Sequence, residues 1–314
     1  MKYKVLITAP YFQPVIGRFK QIFDENAIEV IVPTVNERCT EKELLQYIED
    51  IDGVICGDDK FTEKVLQKAT KLRVISKWGT GIDSIDQEVC KRLGIAVRNT
   101  PNAFSEPVAD TVIGYMLSFA RQLPWMDQAI KRGEWIKIPS KALRECTLGV
   151  IGVGNVGKTV VRRALGFGMK ILGNDIVEMP MEFVKSTHIK MISKDELLRE
   201  SDFVSLNCDL NPTSHHLMSV QEFSTMKPTA IIINTARGPV IDEKALIQAL
   251  QRKNIAGAAL DVFEDEPLPK DSPLLTLPNV LLAPHNANSS HEAWERVHQN
   301  TMKNLLEELK RIEK

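Results

Sequence analysis

The sequence predicts an α/β protein built on parallel sheets in two domains, and three observations carry that reading. Short Val- and Ile-rich runs alternate with longer amphipathic stretches from end to end, the pattern of parallel strands covered by helices. At 314 residues the chain exceeds one ordinary core and suits two domains of roughly 100 to 200 residues each. A G-x-G-x-x-G run, formed by Gly152, Gly154 and Gly157, follows one apolar run and opens a helical stretch.

The first series of strands is expected at Lys4 to Thr8, Glu29 to Val32, Gly53 to Cys56, Arg73 to Lys77 and Ile95 to Arg98. Each is a short β-branched run closed by polar or turn residues. Between them, Glu41 to Ile51 and Thr62 to Ala69 carry helical spacing with a polar face. The segment Asn99-Thr100-Pro101-Asn102 breaks the pattern, because proline cannot continue either element, and a long apolar helix is expected from Ser105 to Arg121. A second series runs through Thr147 to Gly152, Lys170 to Asn174, Phe203 to Asn207, Ala230 to Asn234, Gly257 to Asp261 and Val280 to Ala283, with a helix from Lys158 to Leu165 and a charged amphipathic one from His291 to Lys314.

The bulk numbers exclude several classes of function. Forty basic groups against 41 acidic ones leave a net charge of -1, so neither nucleic acid nor an anionic membrane is expected as a partner. The apolar stretch after Met1 is far too short for a signal core or a membrane span and reads as a buried strand. Five cysteines, Cys39, Cys56, Cys90, Cys146 and Cys208, form no CxxC pair, which argues against a disulfide framework and against a bound metal. Reduced thiols and a cytoplasmic address are the expectation.

The glycine run makes a specific physical demand. Gly152 permits a tight turn, Gly154 lets the backbone approach a pyrophosphate, and Gly157 lets the helix pack closely on the strand. The phosphates then meet the positive end of the helix. The next strand ends at Asp175, roughly twenty residues on, where a carboxylate accepts hydrogen bonds from ribose hydroxyls and repels a 2′-phosphate; NAD is therefore expected over NADP.

Three polar groups stand at the ends of later strands: Arg237 after IIINTA, Glu266 after ALDVFED, and His285 after VLLAP. Oxidation of a hydroxy acid needs a base for the hydroxyl proton while hydride leaves carbon, and the reverse needs an acid. Imidazole serves both duties near neutrality, and a neighbouring carboxylate fixes its tautomer, which pairs Glu266 with His285. A guanidinium clamps a substrate carboxylate and polarises the adjoining carbonyl, the work assigned to Arg237.

With these motifs in place, the chain resembles the D-isomer-specific 2-hydroxyacid dehydrogenases, and is nearest in pattern to their phosphoglycerate dehydrogenase branch. The resemblance preserves order over nearly the whole length: SKWGTGIDSID at Ser76 to Asp86, NTPNAFSEPVAD at Asn99 to Asp110, the glycine motif with Asp175, INTARGPVID at Ile233 to Asp242, ALDVFEDEP at Ala259 to Pro267, and APHNAN at Ala283 to Asn288. It implies two Rossmann-like, doubly wound parallel-sheet domains: a discontinuous substrate domain of residues 1–100 and 288–314, and an NAD-binding domain of residues 101–287, with hinges near Thr100 and Asn286. Arg237, Glu266 and His285 fall on the family's catalytic trio. Asp261 falls on the acid that holds the nicotinamide carboxamide, Asn155 and Val156 on the pyrophosphate, Thr235 and Ala236 near the nicotinamide, and Cys208 and Thr213 on the adenosine side. Lys77, Trp78, Gly79, Thr80 and Gly81 match the segment that receives the substrate, whose backbone N–H groups take its carboxylate.

The expected activity is therefore hydride transfer between NAD and C2 of a small D-2-hydroxy or 2-keto acid. Among such acids 3-phosphoglycerate is slightly favoured, with Lys77 available to a phosphate. The rival readings are an NAD-sensing corepressor on the same scaffold and a formate or phosphite dehydrogenase. The chain departs from the family at Lys77, commonly Arg, at Asn102, commonly Gly, at Asp209, frequently Pro, and at Asn286 and Asn288, where a small residue is usual. Surface positions are expected for His215 and His216. Two indoles in Arg121 to Trp135 suit an interface, and the resemblance implies a homodimer packed through residues 101–150. Within 314 residues there is no counterpart of the C-terminal regulatory module of many phosphoglycerate dehydrogenases, so serine feedback is not expected.

Overall fold

A computed structural model describes residues 3–311, and the chain divides into two compact units, Met1–Phe104 with Ser290–Lys314, and Ser105–Ser289. The first unit is discontinuous in sequence and holds five parallel strands: β1 (Tyr3–Ile7), β2 (Ile28–Ile31), β3 (Gly53–Cys56), β4 (Val74–Lys77) and β5 (Ala96–Arg98) in the order β2-β1-β3-β4-β5. Val5, Leu6, Ile7, Val54 and Ile55 are wholly buried, as a sheet covered on both faces requires. The helix His291–Arg311 lies against β3, β4 and β5. Two details tie it there: the Ser76 hydroxyl donates to the Thr301 carbonyl at 2.9 Å, and a Cβ on Gly53 would stand 2.8 Å from Leu305 Cδ1, so glycine admits that leucine.

Local chemistry starts and stops these elements. Thr40 and Glu43 form a capping box at the start of Glu41–Tyr47. The helix expected to reach Ile51 instead tightens into a 3-10 turn, Ile48–Asp50, a common ending where the last carbonyls lack partners. Asp86 caps Gln87–Leu93, and Gly94 closes it with φ 73°.

The second unit holds β6 (Thr147–Ile151), β7 (Lys170–Asn174), β8 (Lys190–Met191), β9 (Phe203–Leu206), β10 (Ile231–Asn234), β11 (Gly257–Leu260) and β12 (Val280–Leu282) in the order β12-β11-β10-β9-β6-β7-β8, all parallel. The two-residue β8 is absent from the sequence reading because IKMIS is too short and too polar to show a strand period. One face of the sheet is covered by Val112 and Met116 of Ser105–Arg121 and Val160 and Val161 of Asn155–Leu165. Leu197, Phe223, Leu246 and Leu250 cover the other. The winding reverses between β6 and β9, and a crevice at the carboxyl ends of such neighbours is where open sheets take ligands.

The two tryptophans of the 122–135 region part company. Trp125 sits in the helix Leu123–Lys131, packs on Phe119 at 5.0 Å between centroids and donates its indole N–H to the Pro278 carbonyl at 2.8 Å. Trp135 is 87% exposed, with Leu123, Ile130 and Ile136 also exposed. Among the described residues, no helix is long and apolar enough to cross a membrane.

Candidate active site

The glycine turn is built by close contact on two sides and open on the third. Gly152 leaves β6 with φ 83°, and a Cβ there would stand 2.5 Å from the Cys208 nitrogen, so the exits of β6 and β9 touch across the switch point. A Cβ on Gly157 would strike the Gly152 carbonyl, which explains how the helix packs down on the turn. On Gly154, the N-cap, a Cβ would meet no protein atom within 4 Å. The bare backbone at Gly154 therefore serves approach from outside rather than packing. Asn155 and Val156 occupy the first helical turn, where backbone N–H groups lack helical acceptors and the macrodipole is positive.

Asp175 follows β7 immediately, held between two backbone donors: Val153 N–H to Oδ2 at 2.6 Å and Val177 N–H to Oδ1 at 2.9 Å. Its carboxylate is thereby fixed beside the glycine turn. Cys208 is half-buried, and burial pushes its thiol up to about 11, so it stays neutral near pH 7. Thr213 is exposed, with its hydroxyl donating to Asn211 Oδ1 at 2.6 Å. Thr235 Oγ1 is buried without a hydrogen-bond partner, an arrangement that costs free energy unless a ligand completes it. An open cradle, a positive helix end and an orphaned hydroxyl suit a dinucleotide.

Arg237, Glu266 and His285 follow β10, β11 and β12, three adjacent strands, on the same carboxyl edge as the glycine turn. His285 Nδ1 and Glu266 Oε2 are 3.0 Å apart, and Glu266 Oε1 accepts the Phe263 N–H at 3.0 Å, so the carboxylate orients the ring and is itself held. The Arg237 guanidinium donates to the Ala236 carbonyl through Nη1 at 2.9 Å.

Asp261 is 1% exposed and carries the corner on which His285 sits. Its two carboxylate oxygens accept the N–H groups of Asn286 and Ala287, each at 2.9 Å, and its carbonyl accepts the His285 N–H at 2.7 Å. His285 has φ 50°, a left-handed backbone unfavourable for a residue with a Cβ. Those three bonds hold it. Burial raises the Asp261 pKa, while the same backbone donors and His285 pull it down.

Sequence reading missed the turn that presents Arg237. Asn234, 1% exposed, receives the Ala236 N–H on Oδ1 at 3.0 Å and donates Nδ2 to the Arg237 carbonyl at 2.9 Å. Any side chain on Gly238 would overlap the Phe263 carbonyl. An asparagine ending a strand three residues before Gly-Pro is a turn signal that could have exposed this device.

In the first unit, Gly79 has φ 128°, and its carbonyl accepts both the N–H and the hydroxyl of Thr100 at 2.9 Å. The Thr80 carbonyl accepts Asn99 Nδ2 at 2.6 Å. The turn's carbonyls are thus occupied, while the N–H groups of Gly79, Thr80 and Gly81 donate to no backbone carbonyl or side chain among the described residues. Trp78 contributes only backbone there, since its indole is buried among Tyr11, Phe104, Trp294 and His298. Lys77 is buried, with Nζ 2.9 Å from Asp58 Oδ1. His215 and His216 are exposed and stacked on each other, and His216 pairs with Glu264 at 2.8 Å. No group of three or more metal-binding side chains clusters among the described residues.

Fold and site together define an α/β protein whose glycine turn fits a dinucleotide, with a His–Glu pair and an arginine at the ends of three adjacent strands. Residues 113–287 match the model of the D-isomer specific 2-hydroxyacid dehydrogenase, NAD binding domain. The chain belongs to the D-isomer specific 2-hydroxyacid dehydrogenases, NAD-dependent oxidoreductases. It is 43% identical to a D-3-phosphoglycerate dehydrogenase of Methanocaldococcus jannaschii over 92% of this chain, and spans 54% of that protein, about half its length. It is 35% identical to a glyoxylate reductase of Korarchaeum cryptofilum over 98% of this chain and 92% of that one. The solved D-lactate dehydrogenase of Aquifex aeolicus, complexed with NAD and lactic acid, superposes with a TM-score of 0.86 at 29% identity, covering 98% of this chain and 97% of that one.

Proposed function

We propose that this protein transfers hydride between NAD and C2 of a small D-2-hydroxy or 2-keto acid, with Arg237, Glu266 and His285 as its catalytic residues. The observation that carries the reading is the His285–Glu266 pair, 3.0 Å apart, on the strand edge that also bears Arg237 and the glycine turn. When bound, the nicotinamide supplies or receives the hydride. Gly152, Gly154 and Gly157 with Asn155 and Val156 hold the pyrophosphate, Asp175 the ribose, and Cys208 and Thr213 border the adenosine. Thr235, Ala236 and Asp261 serve the nicotinamide end, and the unpartnered Thr235 hydroxyl supports that placement.

During keto-acid reduction, His285 Nε2 gives a proton to the developing alkoxide; in oxidation it takes one from the hydroxyl. Glu266 on Nδ1 orients the ring and keeps Nε2 presented. The Arg237 guanidinium holds the substrate carboxylate and polarises the carbonyl. In the first unit, the backbone N–H groups of Gly79, Thr80 and Gly81 suit an anionic substrate group. The presence of the full acid–base pair supports turnover over a sensing role.

The decisive assay follows absorbance at 340 nm with NADH and a panel of keto acids that includes pyruvate, glyoxylate and hydroxypyruvate. NADH should be oxidised with at least one. Tight coenzyme binding with no turnover in either direction would overthrow the reading. The five free cysteines support a cytoplasmic address, and the exposed Leu123, Ile130, Trp135 and Ile136 support a homodimer through residues 101–150.

A further inference from the structure

The segment that carries Glu266 also lies against the turn that presents Arg237. A Cβ on Gly238 would stand 2.5 Å from the Glu264 nitrogen, and the Phe263 N–H donates to Glu266 Oε1 at 3.0 Å. The Phe263–Glu264 peptide is therefore the spacer between the two side chains. Glu264 fixes that spacer. Its Oε1 stands 2.8 Å from His216 Nε2 and accepts the Glu243 N–H at 3.4 Å, and its own N–H donates to Glu243 Oε2 at 3.3 Å, which ties the segment to the start of the helix Glu243–Gln251. His216 is fastened in turn to the strand of chain that follows Arg237: its N–H donates to the Pro239 carbonyl at 2.8 Å, and the Met218 N–H to the Val240 carbonyl at 3.1 Å. It sits there with φ 50°, the left-handed backbone also seen at His285, which persists only where surrounding bonds enforce it. Burial raises the Glu243 pKa, offset in part by the Glu264 N–H and reinforced by the Glu264 and Asp265 carboxylates. Negative charge is crowded here, and the His216 ring is a donor that meets it. The His216 and Glu264 side chains are 40% and 31% exposed, and a pair so open to water adds little to stability, so its value is geometric.

We propose that Glu264, held by His216, is a positioning residue that keeps Arg237 and Glu266 in register with each other. The inference rests on the hydride-transfer reading of that site. Both residues act through others, and neither is itself catalytic. His216 lies three residues beyond Thr213, so the clamp begins in the loop assigned to the adenosine and ends at the acid–base pair. Its leverage comes from alignment, since a misplacement of reacting groups by about 1 Å costs roughly a hundredfold in rate.

The test compares His216→Ala, Glu264→Ala, Glu264→Gln and the double alanine variant of the full chain. It reads kcat/KM for the best keto acid of the panel, the Kd of oxamate, a keto-acid mimic that is not reduced, by calorimetry on protein loaded with NADH, and the urea unfolding midpoint. Each alanine variant should lose roughly tenfold to a hundredfold in kcat/KM and bind oxamate roughly tenfold more weakly, with a midpoint close to the parent's. Because the two residues act in one chain of contacts, the double variant should be no worse than the more impaired single one. Glu264→Gln, whose amide oxygen still accepts both bonds, should recover most of the loss. Unaltered kcat/KM and oxamate Kd in the alanine variants would overturn the proposal, and so would losses that multiply in the double variant or a glutamine variant as impaired as alanine. His216→Ala changes an exposed side chain and carries the test if Glu264→Ala fails to fold. Absence of turnover with every keto acid, with oxamate still bound by the unsubstituted protein and weakened in the variants, would instead sink the hydride-transfer reading and leave the clamp standing.

Discussion

Two strand-end corners, one in each unit, solve the same backbone problem in opposite ways. After β4 the chain turns through Gly79 at φ 128°; after β12 it turns through His285 at φ 50°. Both angles disfavour an ordinary L-residue. In the proposed site the first corner needs only backbone N–H groups, so glycine suffices, and its carbonyl is held by the Thr100 bonds. The second must present an imidazole, so a residue with a Cβ is kept in a left-handed conformation by the buried Asp261, through its carbonyl and both carboxylate oxygens. Strain is accepted where a side chain is required and avoided where it is not.

The largest effect expected from breaking this contrast is on turnover. His285→Ala should lower kcat by roughly a hundredfold to ten-thousandfold, the reach of general acid–base catalysis, with the Kd for NADH by fluorescence nearly unchanged. An unaltered kcat would remove His285 from the chemistry. Gly79→Ala should act on the other corner through backbone strain alone, since its Cβ would meet Lys77 Nζ and Phe104 Cε2 at an ordinary 3.8 Å. A loss of roughly 1 to 3 kcal/mol in urea unfolding and a raised KM for the keto acid are expected; a variant as stable as the parent would show that the corner tolerates a side chain. The smallest effect sharpens the comparison itself. His285→Gly, as inactive as His285→Ala, should be more stable than it by about 1 kcal/mol, because only the alanine keeps a Cβ in the left-handed region. Equal unfolding midpoints would mean that the Asp261 bonds, and not the conformation, set the energetics there.

Much of the scaffold was legible because its signals are local. Strand and helix periods located to within a residue or two eleven of the twelve strands found among the described residues, and the glycine spacing marked the turn that follows β6. What escaped notice depends on groups remote in the chain. Nothing around Asn234 or Gly238 announces that Phe263 lies against the Arg237 turn, and the motif ALDVFEDEP does not tell that Asp261 builds the His285 corner. Lys77 is the clearest case: nothing around it in sequence announces that its ammonium pairs with Asp58, nineteen residues away.

The amino-acid order alone determined the α/β class, the two series of parallel strands and the glycine turn after β6, because hydropathy periods and glycine spacings act over a few neighbouring positions. Tertiary structure decided which charges are available and which are already neutralised, which carboxylate orients a ring and which props up a backbone. Those outcomes depend on distances between strands that meet only after folding, and electrostatic and hydrogen-bond energies change steeply over such distances.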